Sequence, residues 1–103
     1  MYDVVALGEL LIDFTTQSSD PDGYPTMAAH PGGAPANFLA AIAKFGGKAA
    51  LLGKVGTDTF GKLLTDTLCK AGIETKGLVA SDEVFTTLAF VTLDENGDRK
   101  FAF

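Results

Sequence analysis

The 103 residues carry 8 basic and 13 acidic side chains, a net charge of −5, and are 47% hydrophobic and 20% charged. That is the composition of one small globular domain and excludes a disordered chain. Scattered negative charge without a basic cluster speaks against nucleic acid or an anionic membrane as partner, and no apolar run approaches the ~20 residues that span a bilayer.

Taken in chain order, Val4-Val5-Ala6-Leu7 is short, β-branched and wholly apolar, which predicts a central strand covered on both faces. The start, Met1-Tyr2-Asp3, lacks the basic residues and long apolar core of a signal peptide. Cys69 is the only cysteine, so no internal disulfide can form and the expected compartment is the cytoplasm. After Gly8-Glu9, Leu10-Leu11-Ile12 leads to Asp13, and Phe14-Thr15-Thr16 continues extended. Residues 17–24, with Pro21-Asp22-Gly23 inside, read as a turn-rich loop, and 26–29 as a return strand.

A helix is predicted over 35–45, with Phe38, Ile42 and Phe45 at i, i+4 and i+7 as its buried stripe and Gly46-Gly47 as its stop. Residues 49–55 read as a second buried strand. Asp58 is suited to cap a helix running to Ala71, with Phe60, Leu64 and Leu68 on one face and Gly72 ending it. Leu78-Val79 predicts a short strand, and 86–93 alternates clearly. Asp94-Glu95-Asn96-Gly97-Asp98 then carries a hairpin signature before Arg99 returns the chain. The order of elements predicts an α/β sheet with a separate β appendage, without repeats or a linker. Arg99-Lys100-Phe101-Ala102-Phe103 begins an alternation and then stops, so the sequence is expected to be the N-terminal piece of a longer chain.

The segment with most chemistry is Pro31-Gly32-Gly33-Ala34-Pro35-Ala36-Asn37. Adjacent glycines permit positive φ and close approach of a ligand to the backbone. Pro35 suits the first helical position, and the remaining free N–H groups of that turn point outward with the positive end of the helix dipole. The Asn37 amide can both donate and accept. A P-loop needs Gly-Lys-Ser/Thr, and no lysine follows Gly32-Gly33. A dinucleotide fingerprint should follow the first strand directly, where Gly8 stands alone. The remaining reading is a turn that contacts neutral hydroxyls, partnered by Asp13, whose carboxylate can accept from two sugar hydroxyls.

The run Asp3-Val4-Val5-Ala6-Leu7-Gly8-Glu9, then Asp13, Gly32-Gly33-Ala34-Pro35-Ala36-Asn37 and Lys54-Val55-Gly56-Thr57-Asp58-Thr59-Phe60-Gly61, resembles the ribokinase-like (PfkB) carbohydrate kinases over the whole chain. The glycine turn and Thr86-Thr87-Leu88-Ala89-Phe90-Val91 look most like the fructokinases of that family. The resemblance implies the N-terminal part of a single ribokinase-like domain, an α/β/α sandwich with a small β-sheet lid formed near 14–29 and 86–103. It implies that Asp13, Gly33 and Asn37 hold sugar hydroxyls, that Gly32 shapes the turn, and that Phe101 or Phe103 covers the apolar face of the ring. It also implies an ATP- and Mg²⁺-dependent kinase acting on a primary hydroxyl, D-fructose to fructose 6-phosphate, with dimer contact through the lid in many relatives. Leu39 departs from the family, which usually has a small residue there.

The family's Gly-Ala-Gly-Asp turn, which supplies the base and the anion hole, has no counterpart in 1–103, nor does the nucleotide site. No catalytic residue is therefore assigned, and this stretch by itself is expected to be inactive and to bind no cofactor. The ordinary readings of other residues are kept: His30 a surface side chain, Cys69 a packed apolar residue, Asp58 a helix cap rather than a base, and Phe38, Phe45 and Phe60 core. Phe14, Phe85, Phe101 and Phe103 fall where a lid could use them. No cysteine or histidine set is spaced for a metal. Two alternatives stand: a ribokinase, 2-keto-3-deoxygluconate kinase or nucleoside kinase of the same family, or a non-catalytic module that binds sugar or self-associates through its exposed strand edges.

Overall fold

Apolar β-branched runs with glycine breaks between them produce two sheets, not one, in the computed structural model, which describes residues 1–103. The first sheet is parallel. Strand β1 (Val4–Leu7) pairs with β4 (Ala49–Gly56) from Val4↔Ala49 to Leu7↔Leu52, and β4 pairs in turn with β5 (Ile73–Glu74) and β6 (Leu78–Ser81). The second sheet, the one expected to form a lid and called the lid below, has the order β3 (Pro25–Gly32), β2 (Leu11–Ser19), β7 (Leu88–Leu93), β8 (Arg99–Ala102). Its β2–β7 pair is parallel and its two outer pairs are antiparallel.

The two hairpins of the lid close on the same turn. Asp20 Oδ1 accepts from the N–H groups of Asp22 and Tyr24 at 2.9 and 2.8 Å. Asp94 Oδ1 accepts from Asn96 and Asp98 at 2.9 Å each. In both, the aspartate carboxylate satisfies two loop amides that the ladder cannot reach.

Helix α1 (Ala34–Lys44) and helix α2 (Thr59–Lys70) pack side by side on one face of the parallel sheet. The core they close contains Leu10, Ile12, Leu39, Ala49, Leu51, Val55, Leu64, Leu68 and Ile73. Asp58 caps α2 as expected, accepting from the Gly61 N–H at 2.8 Å.

Two expectations are corrected. Cys69 is exposed rather than packed, its Sγ 3.5 Å from Thr75 Oγ1. Of the expected α1 stripe Ile42 packs against the core, alongside Ala36, Leu39, Ala40 and Ala43, while Phe38 and Phe45 are 54% and 89% exposed. Small alanines allow the helix to sit close against β1 and β4, and two phenylalanine rings would hold it away. Within residues 1–103 both helices lie on one face of the parallel sheet. Val5, Leu7, Leu52 and Val79 share the opposite face and are exposed, because alternation sends them away from both helices.

Candidate functional site

Asp13 is the third residue of β2. The chain enters this strand through buried Leu10, Leu11 and Ile12, and Asp13 itself is half-buried. In the ladder it lies between His30 on β3 and Ala89 on β7, and it is in no ion pair with His30. Its carboxylate lies directly over Gly32. A Cβ built on Gly32 would run into Asp13 Oδ2 and stand 2.9 Å from Asp13 Cγ.

Of the two glycines only Gly33 uses a positive φ, 112°, as the residue preceding α1. A Cβ there would collide with the carbonyl oxygen of Glu9, so the turn presses against the backbone that follows β1. Gly8, at the end of β1, likewise leaves room only for the Pro35 ring. The glycine turn is thereby stacked on the carboxyl end of β1, the end where parallel sheets present ligand sites. Pro35 is the second helical residue, Asn37 donates its N–H to Gly33 O at 3.1 Å, and no side chain caps this helix start.

Asp13 opens into a cavity of about 310 Å³ lined also by Thr15, Thr16, Val91, Leu93, Arg99 and Phe101. The pairings Thr15↔Val91, Val91↔Phe101 and Leu93↔Arg99 put Asp13, Thr15, Val91, Leu93, Arg99 and Phe101 on one face of this sheet. One end of the cavity is anionic and the other cationic, and neither Asp13 nor Arg99 is spent in an ion pair. Carboxylate, threonine hydroxyl, guanidinium and an aromatic face suit a small polyhydroxylated ring with one apolar side.

The expected site residues are thus only partly assembled in one place. Asp13 and Phe101 share the 310 Å³ cavity. Gly32 touches Asp13 but also lines, with Asn37, a separate crevice of about 70 Å³ between α1 and α2. Phe103 lies one residue beyond β8 and is 80% exposed. Thr15 and Arg99 were not singled out from sequence, although each lies two residues from a residue that was, Asp13 and Phe101. Period two on a strand was the available signal. The largest hollow, about 440 Å³ beside Tyr2, Lys48, Cys69 and Glu74, is a shallow groove at the amino end of the parallel strands, away from the glycine turn.

The aspartate with the most demanding surroundings is Asp58. Burial pushes its pKa up, but the N–H groups of Thr86 and Gly61 and the Thr86 hydroxyl outweigh this and hold it below the ordinary value.

A two-helix α/β layer carrying a four-stranded β-sheet, with a carboxylate and a glycine turn at their junction, is the arrangement of the ribokinase-like kinase fold. The chain belongs to the pfkB family of carbohydrate kinases, which it matches over residues 1–103. It is 44% identical to fructokinase-2 of Oryza sativa subsp. japonica, across 97% of this chain and 30% of that protein. It is 43% identical to probable fructokinase-5 of Arabidopsis thaliana, across 97% and 32%. Among solved structures it resembles fructokinase from Xylella fastidiosa, with TM-score 0.90, 39% identity, and 96% and 31% of the two chains covered. It also resembles a putative ribokinase II from E. coli, with TM-score 0.87, 29% identity, and 100% and 34% covered. The chain therefore spans just under a third of the length of the curated relatives named above.

Proposed function

We propose that residues 1–103 form the sugar-binding and lid portion of an ATP-dependent sugar kinase that phosphorylates the primary hydroxyl of D-fructose to give fructose 6-phosphate. The observation that carries this reading is the seating of the Asp13 carboxylate on Gly32 at the mouth of the lid cavity, in a chain at least 42% identical to fructokinase-2 of rice and probable fructokinases 3 and 5 of Arabidopsis thaliana. In this reading Asp13 accepts from two sugar hydroxyls, Gly32 and Gly33 admit the ring to the backbone, Asn37 contributes an amide from α1, and Phe101 and Phe103 cover the apolar face. The lid then excludes water, so that the sugar rather than water is the acceptor.

ATP would supply the phosphoryl group, a use supported by the relatives solved with bound ATP and with ATP and Mg²⁺. Residues 1–103 group no three His, Cys, Asp or Glu side chains for a metal. No lysine stands beside Gly32-Gly33 either. This reading places nucleotide binding and the catalytic base outside residues 1–103, with the Gly-Ala-Gly-Asp turn that the family resemblance implies. Strand β8 is exposed along its whole length at the edge of the lid, which supports a homodimer formed there. No helix is long and apolar enough to cross a membrane.

The test is a coupled ADP-release assay on the full-length protein with fructose, ribose, 2-keto-3-deoxygluconate and adenosine. The highest kcat/KM is expected for fructose. A preference for ribose or adenosine would move the protein elsewhere in the family, and no turnover of any of them would favour a binding module.

A further inference from the structure

A helix cap needs one side-chain oxygen, and Asp58 spends only Oδ1 on that task, at 2.8 Å from the Gly61 N–H. Its other oxygen, Oδ2, accepts from the backbone N–H of Thr86 at 2.9 Å. The Thr86 hydroxyl stands 2.8 and 3.0 Å from the two carboxylate oxygens and accepts from the Gly56 N–H at 3.0 Å. The hydroxyl has one proton to give, so the amide of Gly56 and the carboxylate of Asp58 fix its direction between them. Three donors converge on a carboxylate, and an amide side chain could not receive them all.

Thr86 is buried, 2% exposed, where the chain crosses from the parallel sheet into the lid. The next residue, Thr87, accepts the Ile12 N–H at 3.1 Å, which starts the β2–β7 ladder, and β7 then carries Val91 and Leu93 to the cavity wall. The junction admits no extra atoms. A Cβ on Gly56 would meet Asp58 Oδ2 and lie 2.9 Å from Thr86 N, and one on Gly61 would meet the Gly56 carbonyl and lie 3.1 Å from Thr86 Oγ1. A second, apolar contact starts from the same helical turn. Phe60 sets its ring edge-on to Phe14 at 5.4 Å and 90°, and Phe14 stacks on Phe90 across β2 and β7 at 5.3 Å and 13°.

We propose that Asp58 is a positioning residue for the lid, registering β7 and its cavity wall on the α/β body through Thr86, in addition to capping α2. Its effect on catalysis rests on the sugar-kinase reading; its effect on the lid does not.

The experiment compares two variants of the full-length protein by hydrogen exchange and steady-state kinetics. Asp58→Ser keeps a cap for Gly61 but is too short to reach Thr86, and Thr86→Val keeps the shape but removes the hydroxyl. Both are expected to speed exchange in β7 (Leu88–Leu93) by about tenfold or more while α2 stays protected. Both are also expected to raise KM for the sugar several-fold more than they lower kcat. Equal loss of protection in α2 and β7, or unchanged exchange in β7 with unchanged KM, would overturn the proposal. If the full-length protein phosphorylates no sugar, the kinase reading fails, and the exchange pattern still decides the role of Asp58.

Discussion

The carboxylate of Asp13 rests on the α-carbon of Gly32, so closely that a methyl group on Gly32 would occupy the place of Oδ2. The two residues are 19 positions apart and become neighbours because β2 and β3 pair with Leu11 opposite Gly32. The glycine is needed here for space, since Gly32 is not among the positive-φ residues.

Gly32→Ala is accordingly expected to displace the Asp13 carboxylate and to destabilise the fold by about 1–3 kcal/mol through overpacking. Urea denaturation measures the stability, and calorimetry with fructose on the full-length protein measures the displaced carboxylate as lost affinity.

Gly33 and Gly46 separate conformational strain from collision. Both have positive φ, 112° and 90°, but a Cβ on Gly46 meets nothing within 4 Å while one on Gly33 meets the Glu9 carbonyl. Gly46→Ala should cost about 1 kcal/mol, the strain of a left-handed alanine, and Gly33→Ala at least about 2 kcal/mol more. Equal costs by chemical denaturation would mean that the turn is not pressed against β1.

The buried stripe of α1 gives a third expectation. Leu39 is fully buried and Phe45 is 89% exposed. Leu39→Ala should cost about 2–5 kcal/mol, and Phe45→Ala within about 0.5 kcal/mol of nothing, both read from the midpoint of denaturation of the full-length protein.

Much of this fold is legible in the chain because its signals are local. The Asp58 cap, the Asn96-Gly97 hairpin and the alternation of β7 are each written within a few residues. Helix α1 was legible as a helix but only partly in its orientation: Ile42 was placed inward, and the phenylalanines were too, because large side chains dominate any ranking of hydrophobicity while the close approach depends on Ala36, Ala40 and Ala43. The two-residue strand β5 is too short to carry a period. Asp13 and the glycine turn could be named because both stand at the ends of recognisable elements. Arg99 and Thr15 follow only once the lid is known to have a concave face. The bond from Asp58 to Thr86 spans 28 positions and has no local signature at all.

Acid should weaken the fold in part through Asp58. Its pKa is lowered in the folded state, so its stabilisation is complete above the ordinary aspartate value of 3.8 and is lost as pH falls through the lower folded value. The stability difference between the wild type and Asp58→Asn should therefore be present at neutral pH and shrink as pH falls below 3.8 and through the lower folded value. Urea titrations across that range check it, and a gap independent of pH would remove the carboxylate charge from the explanation.

The most direct test of the sugar-kinase account is the kinetics of fructose phosphorylation by the full-length protein and its Asp13→Ala variant. Loss of charge-assisted bonds to two hydroxyls predicts a cost of about 2–4 kcal/mol, roughly 30- to 1,000-fold in kcat/KM, with the fold intact. A folded Asp13→Ala enzyme that phosphorylates fructose as well as the wild type would contradict it.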